Sequence, residues 1–485
     1  MTSAAKHLLP HGELRSEQLY TAERVAHWDA LATAFGPRFW PRAYRRCLQR
    51  VYQHVIAPGQ RVLEIGCGRG DLLASLSPAV GFGIDFSPGM IDRAKRRHPH
   101  LTFLTADAHR LPILKPFDVV VLSDLVNDLW DVQEALVQVR RVLRPRGRLV
   151  LNHYSRLWQL PLSLVRALRL VDPCLPQNWL ATEDVANLLH LTEFEVIRHW
   201  QEVLCPVRVP VVAPLCNRFL SKLWPFRYLA LANFVIARPA PSAAVPAPKI
   251  SVIVPARNES GNIRAIFQRT PRMGRETEFI FVEGHSTDDT LARIESEMRA
   301  HPQVRSFLFR QTGKGKGDAV RLGFGKATGD VLIILDADLT VPPEDLPRFV
   351  EALVRGKGDF INGVRLVYPM ERQAMRFLNL LGNKFFSLAF SWLLGQPIKD
   401  TLCGTKALWK QDYDRIATNR AYFGDFDPFG DFDLLFGGAK QTLKIVDLPI
   451  RYRERKYGTT NIQRWWHGFL LLRMVLFAAR SLKFV

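Results

Sequence analysis

Short apolar runs, each closed by a turn bearing glycines or carboxylates and followed by a mixed stretch of helix length, recur along most of this chain. Runs rich in Val, Ile and Leu predict strands buried on both faces of a sheet, and the stretches between them predict crossover helices. In the first half, after a polar start and a basic helix over 42–56, strands are expected at 60–65, 81–85, 101–105, 117–122 and 147–151. Two later ones are expected at 193–198 and 233–238. In the second half they are expected at 250–254, 279–282, 306–309 and 331–335. Between the halves, 239–248 holds four prolines in ten residues, no charge and mostly alanine otherwise, which predicts an extended spacer. The pattern predicts an α/β protein of two doubly wound domains, residues 1–238 and 249–485, joined by a Pro/Ala-rich linker at 239–248.

Composition narrows the classes. At 485 residues the chain can bury two or three cores, and it has no uninterrupted apolar run of 18 or more, so no transmembrane helix is expected. The segment Met1-Thr-Ser-Ala-Ala-Lys-His lacks an apolar core, so no secretory signal is expected. Six scattered cysteines without a Cys-x-x-Cys pair suit a reducing cytoplasm and no zinc site. A net charge of +20 asks for an anionic partner: nucleic acid, membrane or a phosphorylated substrate. From 451 to 485, eight Lys/Arg stand against Glu454 alone, interleaved with Trp465, Trp466, Phe469 and a row of aliphatics. Such a segment is either an interfacial helix on an anionic membrane or an amphipathic helix packed on its own domain.

The first candidate chemistry is Glu64-Ile-Gly66-Cys-Gly68-Arg-Gly70-Asp71, a strand entering a glycine turn and then a helix, with Asp85 ending the next strand. Glycines let the backbone approach a ligand, and a carboxylate about 20 residues on can hold ribose hydroxyls. Later strand ends carry Asp107 with Ala108, then Asp124, Asn127 and Asp128, then His153 and Tyr154; any of the last five could orient or deprotonate a nucleophile. These motifs, with Arg144-Pro-Arg-Gly147, resemble class I S-adenosylmethionine-dependent methyltransferases over about 40–238. The resemblance implies a seven-stranded sheet with the methionine portion at Gly66 to Gly70, ribose on Asp85 and adenine near Asp107 and Ala108. Glu64 and Asp124 complete the implied cofactor set. A nicotinamide-binding domain is the rival for the glycine motif alone, and a shell that binds cofactor without turnover is another outcome.

The second is Asp330-Val-Leu-Ile-Ile-Leu-Asp336-Ala-Asp338, a strand ending in two carboxylates suited to Mg²⁺ or Mn²⁺, with the turn Lys314-Gly-Lys316-Gly-Asp318 upstream suited to an anion. Together with Pro255-Ala-Arg257-Asn-Glu259 and the 283–290 loop, these resemble the family-2 inverting glycosyltransferases, in the branch of dolichyl-phosphate mannose synthase and polyprenyl-phosphate sugar synthases. The resemblance implies that Pro255, Arg257, Glu259 and Glu283 (where the family usually has Asp) flank the nucleoside. Lys316 and Asp318 would lie near the base, and Asp336 and Asp338 would hold the metal on the diphosphate. It also implies that Arg365, Arg376 and Arg455 clasp a lipid phosphate. Thr460-Asn461 replaces the family's Ser-Lys, and Asn461 stands in a near miss of the Gln-x-x-Arg-Trp signature of processive synthases.

A phosphate acceptor is already anionic and needs only positioning, whereas a sugar hydroxyl needs a base, for which Asp431 or Asp433 is the candidate. One of these two would otherwise cap a helix. Asp400, in Asp400-Thr-Leu-Cys-Gly404-Thr-Lys406, joins the catalytic candidates. The chain therefore reads as a bifunctional transferase using S-adenosylmethionine, a divalent metal, a nucleotide-diphosphate sugar and a polyprenyl phosphate or other lipid-linked acceptor. It is expected to be cytoplasmic and peripheral on the inner membrane face. The alternatives are transfer to a sugar hydroxyl in envelope glycan synthesis beside a non-catalytic methyltransferase-like domain, or a nucleic-acid methyltransferase. No nucleic-acid motif accompanies the charge, so none is expected as a partner.

Overall fold

The computed structural model describes residues 11–33, 39–167, 175–241, 246–365, 377–418, 420, 432–453, 455, 457 and 464–484. The chain divides into two compact units, Met1–Ala240 and Pro241–Phe484.

The first unit is a seven-stranded sheet of β1 (Arg61–Ile65), β2 (Val80–Asp85), β3 (Thr102–Thr105), β4 (Phe117–Ser123), β5 (Leu143–Tyr154), β6 (Phe194–Glu202) and β7 (Ala232–Pro239). The order is β3-β2-β1-β4-β5-β7-β6, parallel except for β7, which runs against both β5 and β6. The inner strands are apolar on both faces because helices cover both. Val62, Val119, Val121 and Val150 enter the core on one side, and Leu63, Val120, Leu149 and Leu151 that on the other. The expected basic helix is present at Phe39–Val55. It buries Leu48 and Tyr52, and the Tyr52 hydroxyl donates to Asn152 Oδ1 at 2.7 Å. The polar start, in which no element was expected, is a helix at His11–Thr33.

The second unit is also seven-stranded: β8 (Lys249–Ala256), β9 (Glu276–Glu283), β10 (Ser306–Arg310), β11 (Val331–Ile334), β12 (Phe360–Val364), β13 (Lys406–Trp409) and β14 (Ile445–Pro449). The order is β10-β9-β8-β11-β13-β12-β14, with β13 antiparallel to β11 and β12. β12, β13 and β14 were not expected from the pattern. Both units are thus doubly wound α/β domains with one reversed strand. In both, the order turns back on itself beside the first strand, at β1/β4 and at β8/β11, and a crevice for ligands opens at such a point beyond the carboxyl ends of the strands.

Candidate functional sites

In the first unit the glycine turn after β1 lies in that crevice. Gly68 has φ +50°, its amide donates to Asp85 Oδ2 at 2.8 Å, and a Cβ there would meet nothing within 4 Å. Backbone held open in this way suits close approach by a ligand. Ile65, Gly66, Asp85, Asp107, Ala108 and His109 line a cleft of about 430 Å³, part of it open to solvent. Asp85 is nearly enclosed and also accepts from the Ser87 amide at 2.9 Å; burial raises its pKa above the ordinary carboxylate value, against the pull of those two amides. Asp107 accepts from the His109 ring at 2.6 Å, and His109 Nε2 in turn meets the Asp131 amide at 3.1 Å. Burial would raise the Asp107 pKa, but His109 outweighs it and holds the carboxylate ionised. An ionised acceptor, an open glycine backbone and a half-enclosed cleft fit the ribose and adenine of an adenosyl group.

Other candidates lie elsewhere. Glu64 does not line the cleft: it is buried, Oε2 accepts from the Leu73 amide at 2.9 Å, and burial pushes its pKa up to about 8. Asp124, at φ 56°, does not line the cleft; it takes the Tyr44 hydroxyl at 2.8 Å and the Asn152 amide, and desolvation pushes its pKa to about 6. Asn127 holds loops, donating to Asn178 O and accepting from the Tyr154 amide. His153 is fully buried. Asp128 does line the cleft, with a wall that the sequence did not suggest. The His11–Thr33 helix supplies it: Tyr20 meets Trp130 edge-on at 5.0 Å, and Arg24 and Trp28 reach the Asp128 carboxylate at 3.3 and 3.1 Å. Arg24 is 2% exposed, an unusual burial for a cation unless it is paired.

In the second unit the carboxyl ends of β8 to β11 gather Pro255, Arg257, Glu283, Lys316, Asp336 and Asp338, with Pro255 still on β8. Lys316 Nζ pairs with Asp336 Oδ1 at 2.7 Å. Asp338 Oδ1 accepts from the Thr340 amide and hydroxyl at 3.1 and 2.9 Å. Burial and the neighbouring Asp336 raise the Asp338 pKa, the response of a carboxylate set beside a second one. No group of three or more His, Cys, Asp or Glu poised for a metal occurs among the described residues. Two adjacent carboxylates still suit Mg²⁺ or Mn²⁺, because Mg²⁺ takes one or two protein carboxylates and completes its shell with water and phosphate oxygens. Glu283 accepts from the Ser286 amide, and Asp318 from the Gly313 amide at 3.1 Å, so both shape the loops that follow β9 and β10.

The arginines and the remaining acids have different partners from those expected. Arg365 forms a fork with Asp400, at 2.7 and 2.9 Å, and Asp400 also takes the Arg365 and Leu402 amides. The Asp400 side chain has no exposure; burial would raise its pKa, but Arg365 outweighs that and lowers it. A guanidinium bidentate to an enclosed carboxylate has spent the fork that would clasp phosphate, and freeing it would cost about 3–5 kcal/mol through the stranded charge. Arg455 pairs with Glu259, whose other oxygen takes the Asn262 amide at 2.8 Å, so the expected donor-side acid and acceptor-side base meet each other. Asp433, buried in the first turn of the helix Phe432–Lys440, accepts from Arg420 Nε at 2.9 Å, which withdraws it from the role of free base. Arg376 and Asp431 lie outside the described residues. Gly404, quoted only as part of a motif, has a positional role: a Cβ there would collide with Lys316 Nζ and the Asp336 carboxylate.

Comparison with known proteins agrees with this division. Residues 62–147 match the methyltransferase domain family, and residues 251–417 match glycosyl transferase family 2. The chain is 29% identical over 219 residues to a dolichol-phosphate mannosyltransferase of Pyrococcus furiosus, covering 44% of this chain and 59% of that protein. It is 32% identical over 217 residues to an undecaprenyl-phosphate 4-deoxy-4-formamido-L-arabinose transferase of Klebsiella pneumoniae, covering 44% and 62%. The chain therefore spans about three-fifths of the length of these relatives. A magnesium protoporphyrin IX methyltransferase from Synechocystis, solved with bound SAH, aligns with 47% of this chain and 100% of its own at 16% identity and a TM-score of 0.32.

Two outcomes follow from the geometry. Gly404→Ala should displace Lys316 and Asp336 and lower any metal-dependent sugar transfer by this unit about 100-fold, with the unfolding midpoint little changed; steady-state rates beside a denaturation curve check this. For Glu64, the folded value of about 8 exceeds the unfolded value of 4.5, so the folded state binds the extra proton between them and stability falls as pH rises through that window. Glu64→Gln should remove that fall, stabilising the chain on the order of 3 kcal/mol at pH 8 and little at pH 4.5, as read by urea unfolding at both.

Proposed function

We propose that this chain, a methyltransferase domain joined to a family-2 glycosyl transferase domain, carries two transferase activities. The second domain moves a sugar from a nucleotide-diphosphate sugar to a polyprenyl phosphate or another lipid-linked acceptor. The first moves a methyl group from S-adenosylmethionine to an acceptor of its own. The observation that carries the sugar-transfer reading is the convergence of Lys316, Asp336 and Asp338 beyond β11, closed from behind by Gly404. Lys316 and a divalent cation on the two carboxylates would offset the charge of the departing nucleoside diphosphate. Glu283 and Asp318 keep the flanking loops in one shape for the nucleoside, and Arg257 lies beside them at the end of β8.

The relatives named for dolichol phosphate and undecaprenyl phosphate support a phosphate acceptor. So does the engagement of Asp433 with Arg420, because a phosphate needs no base. Arg365 and Arg455 act in this reading as framework, and Arg376 is left to meet the acceptor phosphate. No helix among the described residues is long and apolar enough to cross a membrane. The helix Arg464–Ala478 buries Leu471, Met474 and Ala478 in its own domain while exposing Phe469, Leu472 and Leu476, which suits peripheral contact with the membrane that holds the acceptor. In the first domain, Asp85 and Asp107 would hold the ribose and adenine ends of the adenosyl group, and the methyl leaves from a sulfonium, so the domain has chiefly to align donor and acceptor.

The test is a transfer assay with the purified chain, polyprenyl phosphate, Mg²⁺ or Mn²⁺ and a panel of radiolabelled UDP- and GDP-sugars, with label counted in the organic phase. Metal-dependent lipid labelling is expected with one donor. Asp338→Asn should lower it at least about 100-fold while leaving S-adenosylmethionine binding unchanged. Labelling that survives Asp338→Asn, or that no donor produces, overturns the reading.

A further inference from the structure

The methyltransferase domain carries an apolar surface that its cleft does not use. Between β6 and β7 the chain makes an excursion through three short helical segments, Val212–Arg218, Leu220–Lys222 and Phe226–Leu229. Beside it stand the turn Arg156–Trp158 and the helix Gln159–Ala167, tied on by Trp158 Nε1, which donates to Leu229 O at 2.8 Å, and by the Ser155 amide, which donates to Leu231 O at 2.7 Å. The inward side of this cluster is ordinary core: Leu162, Val203 and Leu231 are buried with Tyr52 and Phe234. The outward side is apolar too. Leu160 and Leu164 lie one turn apart on a single helix face, Val211 precedes the first turn of the helix that bears Leu215, and Trp224 stands between the last two segments. Leu160 and Val211 are each 79% exposed, and Trp224 is 76% exposed. So many exposed large apolar side chains on neighbouring segments mark an interaction site.

Its charge is of one sign. Arg156, Arg208 and Arg218 are exposed, and Arg227 lies over the Tyr228 ring at 4.8 Å. Lys222 is turned inward onto Glu202. No Asp or Glu occurs between Glu202 and Glu259, and none from 155 to 171. A second copy of the chain would set these arginines against themselves across a two-fold axis. Anionic headgroups would pair with them, while Trp and Tyr take the boundary between headgroup and acyl chain and Arg stems lie along apolar surface. Placement adds to this. Ala232, where the excursion ends, pairs with Tyr154 and Glu202, the last residues of β5 and β6. The excursion therefore lies on the carboxyl edge of the sheet, the edge that holds the methyl-donor cleft.

We propose that this face, built from residues 156–164 and 208–229, docks the methyltransferase domain on an anionic lipid surface. Its residues are not those of the helix Arg464–Ala478; its placement beside a methyl-donor cleft rests on the methyltransferase reading, whereas the vesicle assay reads neither transfer. The experiment uses the whole chain with phosphatidylcholine vesicles, with and without phosphatidylglycerol, in a co-sedimentation assay. Leu160→Glu, Val211→Glu and Trp224→Glu together should weaken binding to the anionic vesicles about tenfold or more, with S-adenosylhomocysteine binding and sugar transfer in detergent unchanged. Binding equal to the parent chain overturns the proposal. So does a triple variant that loses only concentration-dependent self-association in sedimentation velocity, which would make the face a contact between copies. A readout that needs no disruptive change is quenching by bromine-labelled anionic lipid: the parent chain should show a quenched tryptophan component that Trp224→Phe removes, and an unaltered component in that variant also overturns the proposal.

Discussion

A buried turn amide must find an acceptor, and at the carboxyl edges of both sheets that acceptor is repeatedly a carboxylate. Asp85 takes the amides of Gly68 and Ser87, and Glu64 takes that of Leu73. Asp338 takes Thr340, Asp318 takes Gly313, Glu283 takes Ser286, and Asp400 takes Arg365 and Leu402. Where such a side chain also lines a crevice, as Asp85 does, it holds the loop and supplies the polar group a ligand would meet. A ligand arriving there meets groups already oriented, so little ordering has to accompany binding.

This double duty explains what could be read in advance. The parallel strands were visible as apolar runs, and the glycine turn, the Asp336/Asp338 pair and the Lys316 turn stood out because strand ends are where such residues gather. Which acid stands at a crevice and which is taken up inside the domain was not visible, since Glu64 and Asp85, or Asp338 and Asp400, look alike until the loops close. The pairs Arg365–Asp400 and Arg455–Glu259 were hidden for the same reason: long-range partners leave no local periodicity. β12 and β13 carry Asn362, Gly363 and Lys406, all buried, so polar residues interrupt the apolar run that would announce a strand. The His11–Thr33 helix spreads its apolar residues around its circumference instead of in a stripe, and it fits its domain through Arg24, Trp28 and Asp29 instead.

The reversed strand has the same use in both domains. An antiparallel strand begins where its neighbours end, so the loop leading into it arrives at the carboxyl edge. In the second domain this brings 400–405 against Lys316 and Asp336. In the first it brings the excursion before β7 to the edge that bears the cleft. One departure from an all-parallel sheet thus lets each domain deliver a late segment of sequence to a site built by its first strands.

The ion pair between Glu259 and Arg455 closes a loop of 196 residues. Contacts of such sequence separation form late, and domains fold as units in the order in which they leave the ribosome. The first unit can be complete once Ala240 has emerged. The second unit cannot neutralise Glu259 until nearly its whole sequence has been made, so during synthesis its first strand waits with a charged loop still in water. On a growing polypeptide, the cleft beside Asp85 is ready well before the crevice of the second unit is closed.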